Sequence, residues 1–247
     1  MMAFSLKELQ SISVKCGLPS ALPRARQLEA LKSFYNEEVL SFPFDKPILS
    51  LDLGLKNLAA CEIAPIPNGP KYKILNWNKF DLGLPEIYNP QKYSETVKKF
   101  VENELKSKAE KGKMIFIERQ RHRSGSNSAV LETIMRLAIL EGQLYCFLGE
   151  NFKTVSVNPG SVAKYFNLPT GKEKKSAAVL LAKDLLKSGR IIPSDPKIEE
   201  FFLEQKKQDD LADSLLQAIA SIEFRKNCQK FIETSLESNS NKLISKC

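Results

Sequence analysis

The chain has 247 residues, 43% hydrophobic and 27% charged, a balance that suits a globular protein with a sizeable core. Lysine and arginine number 37 against 29 acidic residues, a net charge of +8, which favours a polyanionic partner. No apolar run is long enough to span a bilayer. No basic segment pairs a bulky apolar face with a cationic one, so nucleic acid is the expected partner and a membrane is not. Cys16, Cys61, Cys146, Cys228 and Cys247 are scattered without CxxC spacing, which argues against a disulfide framework or a zinc knuckle. The single histidine, His122, rules out a His-rich metal site, and among arginines it is a poor neutral base. Any metal is therefore expected on oxygen ligands, as magnesium or manganese.

The opening MMAFSLKELQ lacks an apolar signal core, and Glu8 with few early arginines makes it a poor transit peptide. Ser5 and Glu8 have the spacing of a capping box, with Leu6, Leu9, Ile12 and Val14 following at helical spacing. Gly17, Pro19 and Pro23 break that helix, and Arg24 to Tyr35 reads as a second. Residues 1–36 are thus expected as a helix–extended–helix module, and 37–47, containing SFPFDKP, as a linker.

Strands are expected at Ile48–Leu53, Leu58–Ile63 and Tyr72–Trp77, the first two close enough for a hairpin. A charged helix, Tyr93–Lys111, leads to a short buried strand at Met114–Ile117, a long helix Ala129–Gly149 and a strand at Thr154–Val157. Lys172–Ser188 and Asp209–Arg225 read as helices, with 48–234 as the main domain and 235–247 as a flexible tail. Three neighbouring strands followed by alternating helix and strand predict an α/β fold. Its five-stranded mixed sheet is an antiparallel meander continued by βαβ crossovers, with helices on both faces.

Acids interrupt the apolar pattern at three places. Asp52 ends the first strand just before Gly54, where the ordinary reading is a turn completed by Lys56 and Asn57. Glu118 ends MIFIE in the same manner. Asp210 and Asp213, three apart on a helix, share a face with Leu211, Leu215, Leu216 and Ile219 around it, while Asp209 suits an N-cap. In the expected topology the first and fourth strands are neighbours, which brings Asp52 beside Glu118 under the late helix. Carboxylates so close raise one another's pKa unless cations lie between them. Two divalent ions ~4 Å apart would make such a cluster able to clamp both oxygens of a phosphodiester displacement.

LDLGLKN, IERQRHRSG, GKEKKS and DDLADS, in this order from Ile48 to Arg225, resemble the fungal mitochondrial Holliday-junction resolvases. Those are RuvC-like nucleases of the RNase H fold. The resemblance implies that Asp52, Glu118, Asp210 and Asp213 bind Mg2+, which Mn2+ can replace, and carry catalysis with no small-molecule cofactor. It also implies a SAP-like N-terminal module, four-way DNA junctions as substrate, and the mitochondrial matrix as location. Arg119, Gln120, Arg121 and Arg123 follow Glu118 directly and are candidate DNA contacts. So are Lys172, Lys174 and Lys175, which open a helix whose amides already favour an anion.

In the long helix, Ile134, Leu137, Ala138, Leu144 and Leu148 suit the sheet, and Leu131, Met135, Ile139 and Tyr145 form a second apolar side. That side is expected to bury against a second copy, because paired cuts on opposed strands need paired sites. Two competing readings remain open. One is an actin-like or sugar-kinase ATPase, suggested by Asp-x-Gly at Asp52 and again at Asp81. The other is a non-catalytic DNA-architectural protein.

Overall fold

The computed structural model describes residues 4–67, 71–106, 113–120 and 128–244. Three strands, β1 (Ile48–Asp52), β2 (Leu58–Pro65) and β3 (Tyr72–Phe80), form an antiparallel meander in which Ser50 pairs with Cys61 and Cys61 with Trp77. Gly54 closes the first turn because a Cβ there would lie 2.5 Å from the Asn57 carbonyl oxygen. On the other side of β1, β4 (Met114–Glu118) runs parallel, and α4 (Ser128–Gly149) crosses over to β5 (Lys153–Val157), parallel again. The sheet order is β5-β4-β1-β2-β3-β6, so the expected meander and crossovers are present.

The sheet has six strands instead of the five expected. The additional one, β6 (Ile191–Pro193), pairs parallel with the start of β3. Three residues ending in proline are too short to show a strand period, and their pairing is decided by the tertiary fold.

Helices cover both faces. Leu49 and Leu51 of β1 and Ile115 and Ile117 of β4 pack with Tyr93 and Val97 of α3 (Pro90–Phe100) and with Leu140, Leu144 and Leu148 of α4. The Asn89 side chain caps α3, and Pro90 occupies its first turn. That helix continues as a π-helical segment, Val101–Lys106, and residues 107–111 of the expected span lie outside the described residues. The opposite face carries Ser50, Cys61, Trp77 and Phe116. There Trp77 stacks on Phe202 of α7 (Pro196–Glu204), ring centroids 4.3 Å apart, and donates its indole N–H to Leu211 O at 3.0 Å in α8 (Asp209–Ile244).

The chain divides into two compact units: residues 45–159 with 169–218, and residues 1–44 with 160–168 and 219–247. The second contains α1 (Leu6–Lys15), with the Ser5–Glu8 capping box formed, α2 (Arg24–Phe34) and most of α5 (Pro159–Tyr165). Its core joins Leu9, Cys16, Leu31 and Val39 to Cys228, with Phe231 and Ile232 packed against them. The expected division at 36 and 47 therefore does not coincide with this unit. Two short helices bury little by themselves, and here they share a core with the later turns of α8. Buried Arg225 pairs with Glu38 at 2.6 Å and lies against the rings of Phe34 and Phe42. Gly17, at φ 71°, adjoins the Phe224 ring, which a Cβ would approach to 2.4 Å. The elements α5 at 159–165, β6 at 191–193 and α7 at 196–204 were not anticipated.

Helix α8 also runs to Ile244, past the expected end at Arg225 and through most of the expected tail. No glycine or proline occurs between Asp209 and Ile244 to stop it. Among the described residues no helix is long and apolar enough to cross a membrane.

Candidate active site

The carboxyl ends of parallel strands are where α/β sheets place ligands, and two acids stand there. Asp52 is the last residue of β1 and Glu118 the last of β4, both half-buried after four buried residues. The parallel register pairs Leu51 with Ile117, and one step further Asp52 and Glu118 face each other and are hydrogen-bonded. On the other side Asp52 pairs with Ala59, and Ala59 with Lys79 of β3. The row across the sheet thus reads Glu118, Asp52, Ala59, Lys79.

Helix α8 brings the remaining acids. Asp210 accepts an ion pair from Lys79 at 3.1 Å, and Asp213 one from Lys174 at 3.9 Å. Asp209 begins the helix as its first residue, and its carboxylate pairs with Lys175. Lys174 and Lys175 belong to α6 (Glu173–Lys187), whose N-cap position is Lys172, an exposed residue.

The charges of these acids act on one another. Burial pushes the Asp52 carboxyl well above its ordinary range, and its hydrogen bond to Glu118 and the charges of Glu118, Asp213 and Asp210 push it further. Asp213 is pushed up to about 6, by burial first and by Glu118 and Asp209, with Lys174 and Lys175 opposing. For Asp209 burial raises the pKa, but the Lys175 hydrogen bond and charge outweigh it and hold the carboxylate below its usual value.

Every donor in the cluster is a carboxylate oxygen, which suits a hard divalent cation. Carboxylates that lie this close together and draw on lysines for charge balance would gain from one. Among the described residues no three His, Cys, Asp or Glu side chains already converge as a ligand set. Closing the set on an ion requires Asp210 and Asp213 to turn from Lys79 and Lys174. The acids fit a divalent metal by the chemistry of their donors, with these lysines as the resident counter-charges.

The structure brings together Asp52, Glu118, Asp210 and Asp213, together with Lys174 and Lys175. Arg119 is exposed, its backbone N–H bonded to Val157 O at 2.8 Å. Gln120 is half-buried: its backbone N–H donates to Glu141 Oε2 at 3.1 Å, and its buried Nε2 finds no acceptor among the described residues. Arg121 and Arg123, like His122, lie outside the described residues. Lys79 was missed by the sequence reading. Its signal was present, since Lys79 is two residues from Trp77 in a strand and therefore on the same inward face.

A meander of three strands extended by parallel crossovers, with acids at the ends of the two adjacent parallel strands β1 and β4, defines an RNase H-like domain of the resolvase type. The family described as "Mitochondrial resolvase Ydc2 / RNA splicing MRS1" matches residues 48–191, more than half of the chain, and the chain belongs to that family. Cruciform cutting endonuclease 1, mitochondrial, of Saccharomyces cerevisiae (strain ATCC 204508 / S288c) is 26% identical over 250 residues, covering 75% of this chain and 70% of its own length. The crystal structure of the yeast mitochondrial Holliday junction resolvase Ydc2 matches with a TM-score of 0.74 at 22% identity, covering 94% of this chain and 98% of that one. The expected resemblance and fold class are thereby borne out. The family match contains Asp52 and Glu118 and ends before Asp210 and Asp213, whose assignment rests on their place beside the strand acids.

Proposed function

We propose that this protein is a mitochondrial endonuclease that resolves four-way DNA junctions by paired, magnesium-dependent cuts. The observation that carries the reading is the contact of Asp52 with Glu118 at the ends of β1 and β4, within reach of the charges of Asp213 and Asp210 on α8. The yeast relative is named as a cruciform cutting endonuclease of mitochondria, which supports the substrate and the compartment. The family description also includes RNA splicing. Binding RNA would not require four coupled carboxylates, so the cluster favours cleavage over that role and over a purely architectural one. It likewise favours a nuclease over a nucleotide-binding ATPase.

Asp52, Glu118, Asp210 and Asp213 would hold Mg2+, or Mn2+ in its place. The ion would supply Lewis-acid stabilisation of the phosphodiester and a more acidic attacking water. The acids orient what they hold: Asp52 and Glu118 from the rigid sheet, Asp210 and Asp213 from the helix. Lys174 and Lys175, once released from Asp213 and Asp209, stand ready for the DNA phosphates. Lys172 at the head of α6 and exposed Arg119 extend that basic surface, and Arg121 and Arg123 are candidate DNA contacts by their place in the sequence alone. The expected ends are a 5′-phosphate and a 3′-hydroxyl, which a ligase can rejoin.

The test compares a synthetic four-way junction with a duplex of the same sequence. Magnesium-dependent, symmetric nicks on the junction are expected, with little cutting of the duplex. Phosphate contacts position without reading bases, so binding is expected to weaken steeply with salt through counterion release. Equal binding to duplex and junction at physiological salt would leave only a general nuclease.

Paired cuts call for two copies. On α4, Leu131 and Met135 are 50% and 56% exposed, and Val130 is 43% exposed. Arg136 donates to the Pro85 and Glu86 carbonyls at 2.5 and 2.9 Å, bringing Ile87, 87% exposed, near the same helix. Ile139 and Tyr145, expected on this surface, are instead partly buried against the core, which narrows the patch to the first half of α4. Homodimerisation through it supplies two equal sites by symmetry. Met135→Glu would place a charge in that interface, and sedimentation is expected to show a monomer where the wild type is a dimer at micromolar concentration. A monomeric wild type removes this part of the reading.

A further inference from the structure

A buried glutamine stands one helical turn after Asp213. Gln217 is 3% exposed on α8, among Leu211, Leu215, Leu216 and Ala218, all fully buried. Its Nε2 lies 2.9 Å from Ser50 Oγ, 3.1 Å from Leu51 O and 3.3 Å from Phe116 O. Leu51 immediately precedes Asp52, and Phe116 is two residues before Glu118. One amide therefore grips both β1 and β4 just below their acids, from the helix that carries the other two.

Apolar packing already docks the helix, and a leucine at position 217 would bury more apolar surface without desolvating an amide. Glutamine is thus a poor choice for adhesion alone. Hydrogen bonds differ from apolar contacts in tolerating little displacement. Without Gln217, α8 keeps its leucines and the Trp77 bond to its first turn, on β3, but loses its hydrogen bonds to β1 and β4, the strands that carry Asp52 and Glu118. Residues four apart on a helix share a face, so the position of Gln217 is passed directly to Asp213. Buried Ser50 supports the same conclusion: a hydroxyl in an otherwise apolar strand, facing the amide that needs an acceptor.

We infer that Gln217 is a positioning residue, which with Ser50 sets the reach of Asp213 and Asp210 to Asp52 and Glu118 and so closes the metal site. The inference rests on the proposed metal-binding role of those acids. A functional site needs its first ligands held to a fraction of an ångström by a supporting layer, and outer partners of metal ligands typically change affinity by about 10- to 100-fold.

The experiment uses the full-length protein, with Mn2+ as probe and no DNA. Gln217→Met keeps the side chain's length and packing and removes its donors. It is expected to fold with a melting curve as cooperative as the wild type and to bind the junction as well. Its Mn2+ affinity, measured by electron paramagnetic resonance or calorimetry, should fall by about tenfold or more. In magnesium, kcat should fall similarly while KM for the junction stays within about twofold. Ser50→Ala removes one of three acceptors and should give a smaller loss of Mn2+ affinity in the same direction. Wild-type affinity in a folded Gln217→Met overturns the inference. If that variant does not fold, unchanged affinity in Ser50→Ala overturns it. Asp52→Asn serves as the control: if it binds Mn2+ as the wild type does, the metal-site reading fails and takes the inference with it. If Asp52→Asn loses binding and Gln217→Met does not, only the inference fails.

Discussion

Asp52→Asn is expected to reduce junction cleavage by roughly 10³-fold or more, equivalent to about 4 kcal/mol of transition-state stabilisation, while junction binding survives or tightens. Asparagine has the shape of aspartate without its charge. Its amide can donate to Glu118, to which Asp52 is now hydrogen-bonded, so the local structure has a replacement bond. What is lost is a carboxylate oxygen for the cation and a negative charge facing DNA. Quantified cleavage beside a gel-shift titration separates the two effects. Near wild-type cleavage by this variant would show that the acids are not the metal site.

The same substitution has a second expected result without metal. A carboxyl whose folded pKa lies above its unfolded one keeps its proton longer when folded. The folded state therefore loses stability as pH rises through that interval. Asp52 is raised well above its ordinary value, and Asp213 to about 6 against about 3.9 when unfolded. Metal-free protein should accordingly become less stable from pH 4 towards neutrality from this cluster, and Asp52→Asn should flatten that decline. Added Mg2+ should restore wild-type stability and leave the variant largely unchanged, as expected for binding to the native state alone. Thermal melts with and without chelator are the measurement. An active site that is strained in this way when empty trades stability for function.

The site was legible where an acid broke an apolar run. Asp52 and Glu118 each end a strand whose other residues are buried, and the order of elements placed those strands side by side. Asp210 and Asp213 were legible from helical spacing. Lys79 was less so, because a lysine near a strand end is usually solvated, and only its alternation with Trp77 marks it as inward. Gln217 left no signal, since one glutamine in DSLLQAIA reads as the polar edge of an amphipathic helix. Its partners are a hydroxyl and two backbone carbonyls, and carbonyls carry no sequence identity. β6 is decided by a neighbour far along the chain, so no local pattern declares it. The helical unit draws on distant sequence for a similar reason. The face that α1 and α2 require is supplied by residues from Ile219 onward, almost two hundred positions away.

Trp77→Ala is expected to be the most destabilising single substitution in the sheet unit, by about 3–5 kcal/mol. The ring is 1% exposed and stacks on Phe202 at an interplanar angle of 20°, so truncation opens a cavity between β3 and α7. It also removes the indole donor that reaches Leu211 O at 3.0 Å and Ser214 Oγ at 3.3 Å. Those residues directly follow Asp210 and Asp213, so the start of α8 loses its tie to β3 at the position of two site acids. Trp77→Phe keeps most of the ring contact and loses only the donor, and should cost nearer 1 kcal/mol. Urea unfolding followed by circular dichroism measures both, which matters because Trp77 is the only tryptophan in the chain and its removal abolishes the intrinsic fluorescence probe. If the tie to α8 is as important as the ring, Trp77→Phe will keep most of its stability and still cleave more slowly. A Trp77→Phe variant with wild-type cleavage would assign the indole to packing alone and leave the placement of α8 to Gln217.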